Sequence, residues 1–180
     1  MASPRVPGSP PGSVVELPCG ETLDVVRDLD MGMRDYDCAC GATHAVVLDV
    51  HPPSRFVPED VVAVLRETVE AADADEVGEF GTAHLLGMVM EERPDAVVAE
   101  DVSDDASVGY SLVWVTDPDS RALHEDVVEL VVELMEHAVG HADEDAGAAF
   151  ESQLAEFDVE TFVAAYRAER DFGDEHDTAA

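Results

Sequence analysis

Apolar positions fall into short runs early in the chain and into helical stripes later. "VVEL" (14–17) predicts a short strand, "PCG" a turn, and "ETLDVVRDL" (21–29) a second extended piece. "HAVVLDV" (44–50) predicts a third strand, ended by "HPP", whose prolines stop ladder pairing. In "VPEDVVAVLRETVEAAD" (57–73), Pro58, Glu59 and Asp60 suit a helix start, and Val61, Val64, Leu65 and Val69 form one stripe. "GTAHLLGMVMEER" (81–93) reads as a helix capped by Thr82, with a strand as the alternative, and "PDAVVAED" reads as a short helix after Pro94. "VGYSLVWVT" (108–116) is the strongest strand. Tyr110, Leu112 and Trp114 share one of its faces, and Ser111, Val113 and Val115 share the other. Such an aromatic pair is expected in a core rather than in a ligand box.

Residues 120–141 predict the longest helix, with Asp119 or Ser120 as cap. Glu125, Glu129, Glu133 and Glu136 make its polar face; Val127, Leu130, Val131 and Leu134 make its apolar one. "AGAAFESQLAEF" and "DVETFVAAYRAERDF" predict two further helices, the second capped by Asp158. No internal repeat is evident. This order predicts an α+β fold, a small and mainly antiparallel sheet covered by helices.

Charge changes the picture more than length does. The 180 residues carry 42 acidic and nine basic side chains, all nine Arg, for a net charge of −33. Such a chain repels itself in dilute buffer, and concentrated salt screens that repulsion. The acids are spread along the whole chain and lysine is absent, which points to a protein adapted to a salt-rich cytoplasm. Binding to nucleic acid is not expected, because phosphate contacts need clustered Lys and Arg. No apolar run approaches the ~20 residues of a membrane span. "MASPRVPGSPPGS" lacks the hydrophobic stretch of a signal peptide, and three cysteines are an odd number for a disulfide framework. The thiols are therefore expected to be reduced.

Candidate chemistry concentrates in "DCACGATH" (37–44). Cys19, Cys38, Cys40 and His44 lie within 26 residues, and three thiolates with one imidazole complete a closed zinc shell. Gly follows both Cys19 and Cys40, allowing the backbone to fold tightly round an ion. Cys38 and Cys40 leave the same face of an extended segment. The competing readings are small buried hydrophobic cysteines and a thiol redox pair at Cys38 and Cys40. Redox use is disfavoured because only Arg34 lies near to lower a thiol pKa, while Asp35 and Asp37 raise it. These features divide the chain into a disordered tail (1–13), a zinc-knuckle-like β segment (14–50), an α/β body with a helical C-terminal half (51–172) and a frayed tail (173–180).

A second constellation is His137 and His141, one helical turn apart, with His84 or His124 as a third ligand. It suits a metal-dependent hydrolase, although the spacing is not that of H-E-x-x-H. The plainer reading is a pair of histidines favoured at a helix C-terminus. No catalytic residue and no phosphate-binding or nucleotide motif is found.

Taken together, "ELPCGET", "DCACGATHAVVLDVHPPSRFVPE", "GYSLVWVTDPDSR" and "ELVVELMEHAVGHAD" resemble a haloarchaeal family of unknown function, over about residues 14 to 176. The resemblance implies a haloarchaeal cytoplasmic origin and carries no activity, cofactor or site residue. The reading that results is a non-enzymatic halophilic protein with a structural zinc ion, acting on a protein partner through its helical C-terminal half. Salt provides the first test. The cooperative melt followed by circular dichroism should strengthen as salt rises from about 0.1 M to about 1 M. An unchanged melting midpoint would count against adaptation to salt.

Overall fold

The computed structural model describes residues 14–24, 35–48, 52–68, 80–101, 112–139, 152 and 155–170. Strands β1 (Val14–Glu16) and β2 (Thr22–Asp24) form an antiparallel hairpin. Strands β3 (Asp35–Asp37), β4 (Thr43–Leu48), β5 (Val97–Asp101) and β6 (Leu112–Thr116) form an antiparallel sheet in the order β3-β4-β6-β5. Four helices occur among the described residues: α1 (Glu59–Thr68), α2 (Thr82–Glu92), α3 (Ser120–Val139) and α4 (Val159–Glu169). The fold is α+β, as its sequence order implies.

Alternation along the strands feeds two cores. Val47 pairs with Trp114, and both face the helices, in a core with Leu85, Leu86, Leu123, Val127 and Val163. Val46 pairs with Val115, and both face the other way, onto Val15, Leu17 and Leu23 of the hairpin. Both faces of β6 are thus buried, which explains its unbroken apolar run. Leu112 and Trp114 lie on the helix side and Val113 and Val115 on the hairpin side, as their alternation predicts. Tyr110 falls outside the described residues.

Segment 81–93 is a helix because its buried residues, Thr82, Leu85, Leu86 and Val89, recur at helical rather than alternating spacing. Gly81 occupies the cap position expected of Thr82, and its N–H donates to His84 Nδ1 at 2.9 Å. Asp119 caps α3 by accepting from the Ala122 N–H, and Asp158 caps α4 by accepting from the Thr161 N–H.

Two expectations are corrected. "PDAVVAED" is a single 3₁₀ turn, Pro94–Ala96, followed by strand β5, because β6 offers an open edge for its backbone to pair with. On α1 the buried residues are Val62 and Leu65, whereas Val64 points to solvent at 48% exposure, so the stripe is rotated from the one expected. "DYD" forms strand β3, an element that the sequence pattern does not predict. The predicted helix over 146–157 and residue Val69 lie mostly or wholly outside the described residues.

Between α2 and α3, Arg93 meets Asp126 at 2.9 Å. Desolvation of Asp126 nevertheless raises its pKa; Arg93 opposes the rise, and Glu129 and Glu125 add to it. A carboxyl whose folded pKa is raised destabilises the fold once it ionises, and that cost disappears as pH falls through the folded pKa. Asp126→Asn keeps an acceptor for Arg93 and removes the charge. It should leave the denaturation midpoint unchanged or higher at neutral pH, with the difference vanishing in acid. A clear loss of stability at neutral pH would contradict this account.

Candidate metal centre

The two hairpins turn in the same way. In the first, Glu16 pairs with Thr22 round a loop of residues 17–21. The Leu17 N–H donates to the Glu21 carbonyl, and the Gly20 N–H donates to the Leu17 carbonyl, both at 2.8 Å. In the second, Asp37 pairs with Thr43 round residues 38–42. The Cys38 N–H donates to the Ala42 carbonyl at 2.9 Å, and the Gly41 N–H to the Cys38 carbonyl at 3.0 Å. Gly20 and Gly41 have φ of 87° and 92°, a conformation costly for other residues. The local structure therefore repeats where no repeat is evident from residue identity. Cys19 matches Cys40, while Leu17 and Leu23 stand where the second hairpin has Cys38 and His44.

These turns bring the four expected ligands together. Their ligand atoms all lie within 4.8 Å of one another. Tetrahedral zinc, with Zn–S near 2.3 Å and Zn–N near 2.0–2.1 Å, sets edges of about 3.8 Å between sulfurs and about 3.6 Å between sulfur and nitrogen. Cys19 Sγ is 3.8 Å from Cys38 Sγ, and Cys40 Sγ is 3.6 Å from His44 Nε2. All three cysteines are unbridged. These two separations match tetrahedral edges, and the residues fit the ion in number and type.

His44 is fully buried, and its orientation is fixed from behind. Its Nδ1 lies 2.9 Å from the carbonyl of Asp117. A carbonyl can only accept, so Nδ1 carries the proton and Nε2 presents its lone pair to the sulfurs. The register of β4 explains the aim. His44 and Val46 share the hairpin side of the strand, whereas Ala45 faces the helices.

The thiols are not equivalent. The Ala42 N–H donates to Cys40 Sγ at 3.4 Å and holds that thiol below its ordinary pKa; the Cys38 and Cys19 thiols help and burial opposes. At Cys38 the Cys40 N–H is the largest influence and also lowers the pKa. Burial and the Cys40 and Cys19 sulfurs outweigh it, and the pKa rises. Cys19 and Cys40 are exposed while Cys38 and His44 are buried, so the cluster spans the seam between the second core and solvent.

The histidine constellation does not assemble among the described residues. His124 is buried on α3 with Nε2 against the Phe56 carbonyl at 2.6 Å, and His84 stacks on Phe80. His137 is exposed, and His141 lies outside the described residues. Two surface pockets, one over Val89, Arg93 and Asp126 and one over Pro58, Phe162 and Tyr166, contain no histidine or cysteine.

Sequence reasoning missed the supports of the centre. Asp117 acts through its backbone, so its side-chain identity gives no signal. Asp35, buried on β3, accepts from the Ser120 N–H at 2.8 Å and from Ser120 Oγ at 3.1 Å, and Arg167 Nη2 donates to Ser120 Oγ at 3.2 Å.

Fold and site together define an α+β protein whose Cys₃His cluster, able to hold a metal ion such as zinc, is built on two hairpin turns. Residues 15–170 match the model of the Family of unknown function (DUF5815), and the chain belongs to that family. No curated protein and no solved structure matches the chain. No helix among the described residues is long and apolar enough to cross a membrane.

The turns give a direct test. A Cβ at Gly41 would meet nothing within 4 Å, so its only penalty is the positive φ. Gly41→Ala should cost about 1–2 kcal/mol in denaturant unfolding, and Gly41→Asn less, since Asn tolerates this region better. Equal stability of all three proteins would refute the role given to the turn.

Proposed function

We propose that Cys19, Cys38, Cys40 and His44 hold one structural zinc ion. The protein is then a non-catalytic interaction module of a halophilic, haloarchaeal cytoplasm. The observation that carries this reading is the four-ligand geometry with His44 aimed by the Asp117 carbonyl. Four protein ligands fill a tetrahedral shell and leave no position for water or substrate, which favours a structural over a catalytic ion. Zinc supplies a cross-link between the hairpins, and binding free energy becomes folding free energy for small elements such as these. Strands β1, β2 and β3 are only three residues long, and the first hairpin has little to hold it apart from the small second core. Reduced thiols suit the cytoplasm. The acidic, lysine-free surface favours a protein partner over nucleic acid, and the helical C-terminal half offers the contact surface.

Metal analysis of protein purified in high salt tests the reading. Wild type should carry one tightly held zinc per chain. Cys40→Ser and His44→Ala should each lose it, together with the hydrogen-exchange protection of residues 38–48. A wild-type protein empty of zinc would end the proposal. A labile metal retained by Cys40→Ser would place the ion outside this cluster and overturn the reading.

A further inference from the structure

The cluster has a route to the C-terminal helix α4. Cys38 follows β3 directly, and β3 is an edge strand of three residues paired with β4. Asp35, at the start of β3, projects to the helix face, opposite to the ligands. There its carboxylate takes both the N–H and the hydroxyl of Ser120, the first residue of α3. The Ser120 oxygen, having donated to Asp35, accepts from Arg167 on α4. Asp35, Ser120 and Arg167 are 8%, 3% and 6% exposed. A second tie runs in parallel. His44 holds the Asp117 carbonyl and the Ala45 N–H holds the Pro118 carbonyl, which pins the turn leading into α3.

We propose that the metal centre and the seating of α4 form one coupled unit, joined through Asp35, Ser120 and Arg167, so that emptying the centre loosens α4. The inference rests on the zinc reading above. Its physical basis is that buried charged hydrogen bonds are strong when complete and costly when broken. If Cys38 and His44 lose their common ion, β3 loses the anchor at its Cys38 end, and Asp35 is held less firmly opposite Ser120. Arg167 then loses the oriented oxygen on which it rests. The Tyr166 hydroxyl, bonded to the Ser54 carbonyl, and Val163 in the main core still hold α4 nearby. The expected change is therefore a loosening of the helix and not general unfolding. The coupling would let zinc supply control the helical surface offered to a partner.

Hydrogen exchange read by mass spectrometry in high salt, on full-length protein with its zinc content measured, decides the matter. Chelation of wild type should speed exchange in α4 roughly ten- to a hundredfold, the effect of losing one or two charged hydrogen bonds, while α2 stays protected. In zinc-loaded Asp35→Asn, and independently in Ser120→Ala, α4 should already exchange fast and should not respond further to chelation. The coupling is overturned if residues 38–48 open on chelation while α4 is unmoved. It is also overturned if α2 opens as much as α4, or if α4 stays slow in both loaded variants. Wild type that holds no zinc removes the underlying reading and this inference with it; the other failures leave the zinc site standing.

Discussion

The arrangement depends on a single imidazole held at both nitrogens. His44 gives its Nδ1 proton to the Asp117 carbonyl and turns Nε2 towards the sulfurs. The first contact belongs to the sheet-to-helix turn, the second to the hairpin loops. Because the ring is buried, neither nitrogen has water as a substitute partner, so its rotation is not free. That constraint fixes where the loops must meet, and the loops in turn fix where the β1–β2 hairpin covers the sheet.

The two hairpins share a backbone design and divide its tasks. One carries Cys38, Cys40 and His44. The other carries Cys19 alone and places Leu17 and Leu23 in the second core. Apolar burial and ligand presentation thus occupy equivalent positions of equivalent turns. Hydrophobic packing holds the first hairpin against the sheet, and the exposed side of the cluster lies at the loop tips.

The four candidate ligands were legible because their signal is local: small spacings, glycines after Cys19 and Cys40, and a histidine at a strand mouth. Helices α3 and α4 were legible through periodicity and through the caps at Asp119 and Asp158, while 81–93 left a strand open beside the helix that forms. What was not legible depends on distant partners. Val97–Asp101 becomes a strand because β6 is there to pair with it. Asp35–Asp37 is extended although two of its three residues are acids, because Asp35 is anchored by Ser120, far along the chain. On α1, Val61, Val62 and Val64 are interchangeable to a periodicity argument, and only packing selects Val62. The likeness of the two turns is hidden because leucine replaces cysteine and histidine while the hydrogen bonds and the positive-φ glycines stay the same.

Among the described residues the four-stranded sheet ends at the margins of β3 and β5, and an apolar core lies on each of its faces. Those margins are short, and exposed acids, Asp37 and Glu100, stand on them. A second molecule trying to extend the ladder would set carboxylates against carboxylates over only a few residues. Acids at these margins therefore disfavour edge-to-edge pairing of the sheet.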